Sequence, residues 1–464
     1  MVGVLTKYWP GQHGQVMLII LTAVVLWGLG HQYLAWDVAV VAGLTVFCIG
    51  SWATGAIPDY WAALVFMLLA VLTQVAPTEA VFAGFRSSTF WLLFSGMVIG
   101  AALNYTGLGK RLASLLARCM GQSYGSVLAA TLGFGIALCF VMPSSMGRMV
   151  LLMPLVLALA DHLGYEPGSN GHTGMSLAAL VAVFFPGFTI LPANVPNMIL
   201  SGMSETLYGA ELAYLDYLVL HLPVLGLLKA LAALLLILWW FPADPPRQRA
   251  DSMVTEPLSR QGRHMAVVMV VCLALWMSDG WHHIAPGWIG LGVALYCLFP
   301  GVELVGKDTL NQKVQYGALF FVAAIIGLGA VMAEVGVGQL VMDAIADHVP
   351  LNSDQPVANV ALLALVSSLV GMVTNLPGIP LILTPISQEL ANTSGLALAT
   401  VLMTQVLAFS SVLLPYQAPP LLAAVQMGYV SLAVLSRLCL ALFAITVVIL
   451  LPLDLVWWYL LGRL

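Results

Sequence analysis

Long apolar runs alternate with short polar interruptions along the whole chain. Runs of roughly 20 residues, enough to cross a bilayer as helix, fall near 14–34, 37–56, 60–76, 88–106, 173–208, 214–241, 264–279, 284–300, 316–334, 396–428 and 434–461. Each is continuously apolar, as in "VMLIILTAVVLW", so the pattern predicts helices and not the alternating strands of a membrane barrel. Two further apolar segments, 123–161 and 357–390, are broken in the middle by "PSSMG" and "TNLPGIP". Beyond the first break, 148–161 makes a helix of about 21 Å; beyond the second, 380–390 makes one of about 16 Å. Neither arm crosses a hydrocarbon core of about 30 Å, so each segment reads as a re-entrant hairpin.

Composition narrows the class. Of 464 residues, 61% are hydrophobic and 8% charged, against about 25% charged in a soluble domain. A water-soluble fold cannot hide that much apolar surface. The expected fold is all-α, a polytopic membrane protein of about 11 transmembrane helices plus two re-entrant hairpins. The net charge of −5 decides little, because orientation follows the placement of Lys and Arg. With Lys7 inside and both hairpins in place, Lys110, Arg111, Arg118, Arg247, Arg249, Arg260, Arg263, Lys307, Lys313 and Arg437 all fall inside, and only Arg86 and Arg463 outside. The chain is then an integral protein of the inner (plasma) membrane, N-terminus cytoplasmic and C-terminus outside. No A-x-A site follows the first apolar run, which reads as a retained helix. Cys48, Cys119, Cys139, Cys272, Cys297 and Cys439 have no metal or disulfide spacing and read as small core hydrophobes. Trp240, Trp457 and Trp458 read as interfacial belt residues.

The sequence also repeats itself. Gly100, Gly107 and Gly109 match Gly329, Gly336 and Gly338 at one constant spacing; after a two-residue slip, Gly147 and Pro154 match Gly378 and Pro385. "LPANVPN" (191–197) matches "LPYQAPP" (414–420) to within one residue. Odd numbers of crossings separate the matching elements, so the halves are inverted, each ordered as span, hairpin, broken span, span. That layout is the one used by secondary transporters, whose site lies where the breaks meet.

Irregular backbone at membrane depth is tolerated only in protein or beside a cavity. The expected breaks are 143–148, 191–197, 374–380 and 414–420. Free N–H groups at half-helix N-termini suit an anion, and freed carbonyls suit a cation. Ser144, Ser145, Asn194, Asn197, Thr374, Asn375 and Gln417 add neutral donors and acceptors. The alternative is that these side chains only satisfy interhelical backbone groups.

At these residues the chain resembles the divalent-anion/sodium symporter family, from about residue 80 to the C-terminus. The markers are "FWLLFSGMVIGAALNYTGLGKRLA", the two hairpin tips, "LPANVPNMIL" and "LPYQAPPLLAAVQMGYVS". The resemblance implies an elevator-type inverted-repeat transporter, built as a homodimer, that carries small di- or tricarboxylates or sulfate, usually with sodium. Substrate contacts are expected at Ser144, Ser145, Arg148, Asn194, Asn197, Thr374, Asn375 and Gln417, with Arg148 standing where the family has a small residue, and sodium contacts at Ser144, Ala193, Asn197, Asn375 and Ala418. No cofactor is implied beyond Na+ as coupling ion. The partners are a small anionic solute, membrane lipid and a second copy of the chain, with no nucleic acid.

On this reading residues 1–79 are N-terminal scaffold helices and 80–241 the first inverted repeat, with hairpin 123–161 and broken helix 173–208. Residues 242–263 are a cytoplasmic loop and 264–315 linking helices. The second repeat is 316–464, with hairpin 357–390 and broken helix 396–428. The chain departs from the family's Ser-Asn-Thr tip signature: the first tip reads Ser144-Ser145-Met146, and the second begins at Thr374-Asn375-Leu376 or at Asn375. The second broken stretch reads Gln417-Ala418-Pro419-Pro420-Leu421, without the family's asparagine. Substrate identity and sodium coupling therefore do not carry over.

Two cations stand inside apolar runs. Arg148 has three readings: a structural ion pair, a bidentate contact to the anionic substrate, or a fixed charge in place of a bound sodium. The last two predict a sodium-independent exchanger or uniporter. Lys229 pairs with a carboxylate, carries a proton, or sits in a water-filled crevice. An ion-coupled antiporter or oxyanion efflux carrier on a related fold would place carboxylates beside the breaks, whereas every Asp and Glu is expected near a helix end or in a loop. A membrane enzyme is disfavoured, with no HExxH, GxSxG or nucleotide-binding loop. Two inverted hairpins suit alternating access better than a channel.

Overall fold

A computed structural model describes residues 12–108, 123–142, 144–246, 259–338, 340, 349–427 and 429–464. Lys7, Gly109, Lys110, Arg111, Arg118, Cys119, Arg247 and Arg249, used above, lie outside these. The described residues are helical, with no strand. The helices are α1 (Gln12–Tyr33), α2 (Trp36–Thr54), α3 (Asp59–Leu72), α4 (Ser88–Tyr105), α5 (Tyr124–Val141), α6 (Ser145–His162), α7 (Asn170–Thr189) and α8 (Val195–Tyr208). They continue as α9 (Tyr214–Trp240), α10 (Arg260–Met277), α11 (Pro286–Leu298), α12 (Tyr316–Val335), α13 (Pro356–Thr374), α14 (Gly378–Ser394), α15 (Leu398–Phe409), α16 (Pro419–Gln426) and α17 (Leu432–Leu460).

Among the described residues, nine helices are long and apolar enough to cross a membrane, or ten if the bent pair α14–α15 counts as one span. Several expected spans are shorter than their apolar runs. Pro58 and Ala285 cap α3 and α11, which keep 14 and 13 residues. The first hairpin differs the other way. Its second arm starts at Ser145, because the Ser144 hydroxyl caps it by accepting from the Gly147 N–H at 3.1 Å. Both arms then have 18 residues, about 27 Å of helix, so length alone no longer separates a hairpin from two crossings.

The four expected breaks are present. α5 ends at Met142 and α6 begins after Ser144; α7 and α8 are separated by 190–194; α13 ends at Asn375; α15 and α16 are separated by 410–418. The matched glycines Gly107 and Gly336 both take left-handed φ, +71° and +81°, just past the ends of α4 and α12. Both helices thus end in a backbone conformation that favours glycine.

The chain divides into two compact units. Unit 1 comprises residues up to Phe90, Ile199–Glu211 and Gln315–Gln405. Its centre is α12, packed on α2, α3 and the short turns Thr78–Val81 and Ala83–Arg86. Contact there is backbone to backbone: a Cβ on Gly84 would meet the Ala323 main chain, and one on Gly327 the Val81 carbonyl. Small residues allow such approach where water supplies no driving force. The Glu205 carboxylate caps α4, accepting from the Ser88 N–H at 3.0 Å and its hydroxyl at 2.7 Å.

Unit 2 comprises Trp91–Met198, Leu212–Val314 and Val406–Leu464. Its centre is α7, buried from Gly174 to Thr189 and flanked by α5 and α6. Gly135 of α5 lies so close to Ala182 of α7 that no Cβ fits. α9 opens into a π-helical segment over Leu222–Leu228, beside Pro223, and α17 does so over Thr446–Leu450, before Pro452. Trp458 corrects one expectation: its ring is fully buried rather than interfacial, against His221 at 5.8 Å. The cysteines Cys48, Cys139, Cys272, Cys297 and Cys439 are free and buried, as their spacing suggested.

Candidate functional site

Unit 2 gathers most of the polar residues expected at the breaks. Arg148, in the first turn of α6, is 0% exposed. Its Nε donates to the Val183 carbonyl at 2.9 Å, Nη1 to the carbonyls of Met142 and Ala193 (the latter at 2.8 Å), and Nη2 to the Ser145 hydroxyl at 3.0 Å. The three carbonyls come from the end of α5, from α7 and from the break before α8, all places where helix hydrogen bonding lapses. No carboxylate pairs with Arg148 among the described residues, so the ion-pair reading gives way to a carbonyl cage. Gly187 makes room for it, since a Cβ there would lie 2.6 Å from Nη2.

Next to the cage stand two asparagines. Asn197 donates through Nδ2 to the carbonyls of Gly187 and Ile190, both at 2.9 Å, and Asn194 Oδ1 accepts from the Asn197 N–H at 3.4 Å. Asn194 Nδ2 and Asn197 Oδ1 remain buried without a partner among the described residues. Such orphans need an explanation such as a bound ion, water or ligand.

The second break lies in the same unit. Gln417 Oε1 accepts from the N–H groups of Leu413 and Leu414, both at 2.9 Å, and so fixes the turn before α16. Ala418 is buried at the start of α16, which packs on α6 and α7. Phe188 and Phe409 join the two broken spans at 5.8 Å. The Lys229 ammonium, 1% exposed, donates to the Ser410 carbonyl at 2.7 Å and faces the Phe185 ring at 5.5 Å. A charged residue inside an apolar run signalled Lys229; its partner, a main-chain oxygen far along the chain, had no signal.

Thr374 and Asn375 belong to unit 1. Asn375 has φ +94°, a region that side chains other than Gly rarely occupy. Its Oδ1 accepts from the Gly378 N–H at 3.2 Å, and its Nδ2 donates to the Trp52 carbonyl at 3.2 Å. Thr374 Oγ1 donates to the Val370 carbonyl at 2.9 Å. Both line a small cleft with Trp52, Phe321, Ile325 and Leu381.

Of the residues expected to hold sodium, Ala193 has its carbonyl engaged by Arg148 and Ser144 its hydroxyl by the Gly147 N–H, Asn197 Oδ1 has no partner among the described residues, and Asn375 belongs to unit 1. Asp454, expected near a helix end, lies within α17 at 1% exposure, a burial the sequence did not signal.

Apolar spans interrupted by polar, unwound stretches define a multi-pass helical membrane protein. The chain belongs to the sodium:sulfate symporter family, whose transmembrane region matches residues 12–464, well beyond the stretch that carried the resemblance. That is a family of carriers and not of enzymes. The chain is similar to a protein named "membrane protein" from Cupriavidus necator, 23% identical over 331 residues, which cover 66% of this chain and 64% of that one. It is also similar to the L-tartrate/succinate antiporter of Escherichia coli K12, 25% identical over 272 residues, or 54% of each chain. The antiporter of the same name from Shigella flexneri matches equally. The chain thus spans about half to two thirds of the length of these relatives.

Proposed function

We propose that the chain is a secondary carrier that exchanges small dicarboxylates or similar oxyanions without sodium, with the first helix break of unit 2 as its anion-binding end. The observation that carries this reading is the Arg148 guanidinium filling a cage of carbonyls beside the unpartnered amide donor of Asn194. A fixed cation removes the need for a dissociable one, and a buried donor without a partner favours an anion. The family match and the antiporters similar to this chain support the substrate class. Elevator-type movement, a homodimer and a cytoplasmic N-terminus belong to the same reading.

Reconstituted vesicles loaded with unlabelled succinate test it. Uptake of labelled succinate or L-tartrate is expected to require the internal anion and to be the same in sodium and in choline. Uptake driven only by a sodium gradient overturns it. The second reading, sodium-coupled symport, is favoured by one atom, the buried and unpartnered acceptor Asn197 Oδ1.

A further inference from the structure

We propose that Asp454 is a proton-binding site linked through Lys229 to anion binding, so that the carrier takes up a proton with its anion. The proposal rests on the anion-carrier reading above. Asp454 sits inside α17 at 1% exposure, and neither carboxylate oxygen has a hydrogen-bond partner among the described residues. The Trp458 indole, one turn on, is near enough to act on the carboxylate but closes no hydrogen bond of good geometry. The other buried carboxylate of unit 2, Asp279, differs in that one oxygen, Oδ2, accepts from the Tyr214 N–H, while only Oδ1 lacks a partner among the described residues. A lone buried carboxylate is costly unless it is neutralised by a proton or by a cation.

Lys229 is that cation, but it does not form an ion pair. Their helices pack together, Trp458 of α17 against His221 of α9 at 5.8 Å and Trp457 Nε1 donating to the Val219 carbonyl at 3.0 Å, yet no contact within 4.0 Å joins the two charges. The ammonium instead makes its hydrogen bond to the Ser410 carbonyl in the second break and faces Phe185 of the first broken span. It therefore stands at both broken spans, on the helix that α17 packs against. The other titratable groups around the pair are few. Cys439 of α17 lies near Lys229; His221 of α9 packs on Trp458, with Tyr217 against it at 4.7 Å. Arg463 and Asp216 form an exposed ion pair at 3.1 Å.

The charge balance gives the linkage. With Asp454 ionised, the pair is neutral and Lys229 adds no net charge at the second break. When a proton from water bonds to a carboxylate oxygen, the Lys229 charge is left uncompensated beside the break. An anion then binds more tightly, and by reciprocity a bound anion tightens the proton.

Two measurements on the purified full chain test this. The probe for binding is L-tartrate, fully ionised across the neutral range. Its affinity is expected to weaken as pH rises, by up to about tenfold per pH unit for one linked proton. Asp454→Asn, a permanent mimic of the protonated acid, is expected to bind at the tight low-pH level at every pH. Lys229→Gln is expected to bind weakly throughout. Infrared difference spectra between acid and alkaline samples need no anion and should show a protonated carboxyl band in the wild type that vanishes in Asp454→Asn. No titrating carboxyl band in the wild type overturns the proposal, whether or not the variant folds. An unchanged pH slope in Asp454→Asn overturns the linkage. Failure of L-tartrate to bind at any pH, with the band present, removes the carrier reading for that anion and leaves the proton site standing.

Discussion

A guanidinium held by three main-chain carbonyls and a hydroxyl occupies the environment a dehydrated monovalent cation would choose. It differs in that it cannot leave. Replacing Arg148 by Ala opens the cage and exposes the carbonyls of Met142, Val183 and Ala193 without donors. Hydrogen bonds to a charged group contribute about 1.5–3 kcal/mol each, so exchange in choline should fall by roughly tenfold or more. Sodium is small enough to enter the emptied oxygen set. Transport by Arg148→Ala is therefore expected to recover in part with added sodium, whereas wild type ignores it; uptake assays in the two salts decide. Asn194 tests the anion side. Asn194→Asp keeps the oxygen that accepts from the Asn197 N–H but replaces the free donor with a negative charge. The KM for succinate should rise by about tenfold or more through like-charge repulsion, with the melting temperature nearly unchanged. A loss of stability equal to the loss of affinity would make Asn194 structural.

Helices in lipid associate through close packing, and that fixes where glycine is indispensable. Gly327→Ala drives a methyl into the Val81 carbonyl on the turn that α12 grips. Overpacking of this kind costs about 1–3 kcal/mol and should lower the melting temperature in detergent. Gly100→Ala is the control: nothing lies within 4 Å of the added carbon, and alanine is favoured over glycine within a helix by about 1 kcal/mol, so stability should hold or rise. Much of this element plan was legible in the sequence. The four breaks were visible because Pro, Gly, Ser and Asn stand out in apolar runs, and the paired glycines Gly107 and Gly336 marked two helix ends. The edges were less legible. Ser144 caps α6 and so lengthens it by three residues over the expected start at 148, which undid the length argument for the first hairpin. The cage itself had no sequence signature, because a main-chain oxygen looks the same at every residue. Asp454 was misread because distance from a helix end does not reveal how deeply neighbouring helices bury a side chain.

The two compact units interleave along the chain: unit 2 holds the break between α5 and α6 together with both broken stretches, and unit 1 holds Thr374 and Asn375. Anion affinity on the present reading resides in unit 2, where Arg148, Asn194 and Lys229 supply charge and donors and where no metal cation has to arrive with the ligand. Ligand stabilisation of the intact protein reads this out without a transport assay. At one hundred times its dissociation constant, a ligand adds about 2.7 kcal/mol to the folded state. In a melt of the purified chain, succinate and L-tartrate should each raise the midpoint to the same extent in sodium and in choline. Uncharged esters of the same acids should not, because they have no charge to present to a fixed cation. Sodium alone should leave the midpoint where choline does, since the oxygens around the first break are already engaged by Arg148. A midpoint that rises only when anion and sodium are present together would place a dissociable cation back in the site and return the chain to the coupling its family is named for.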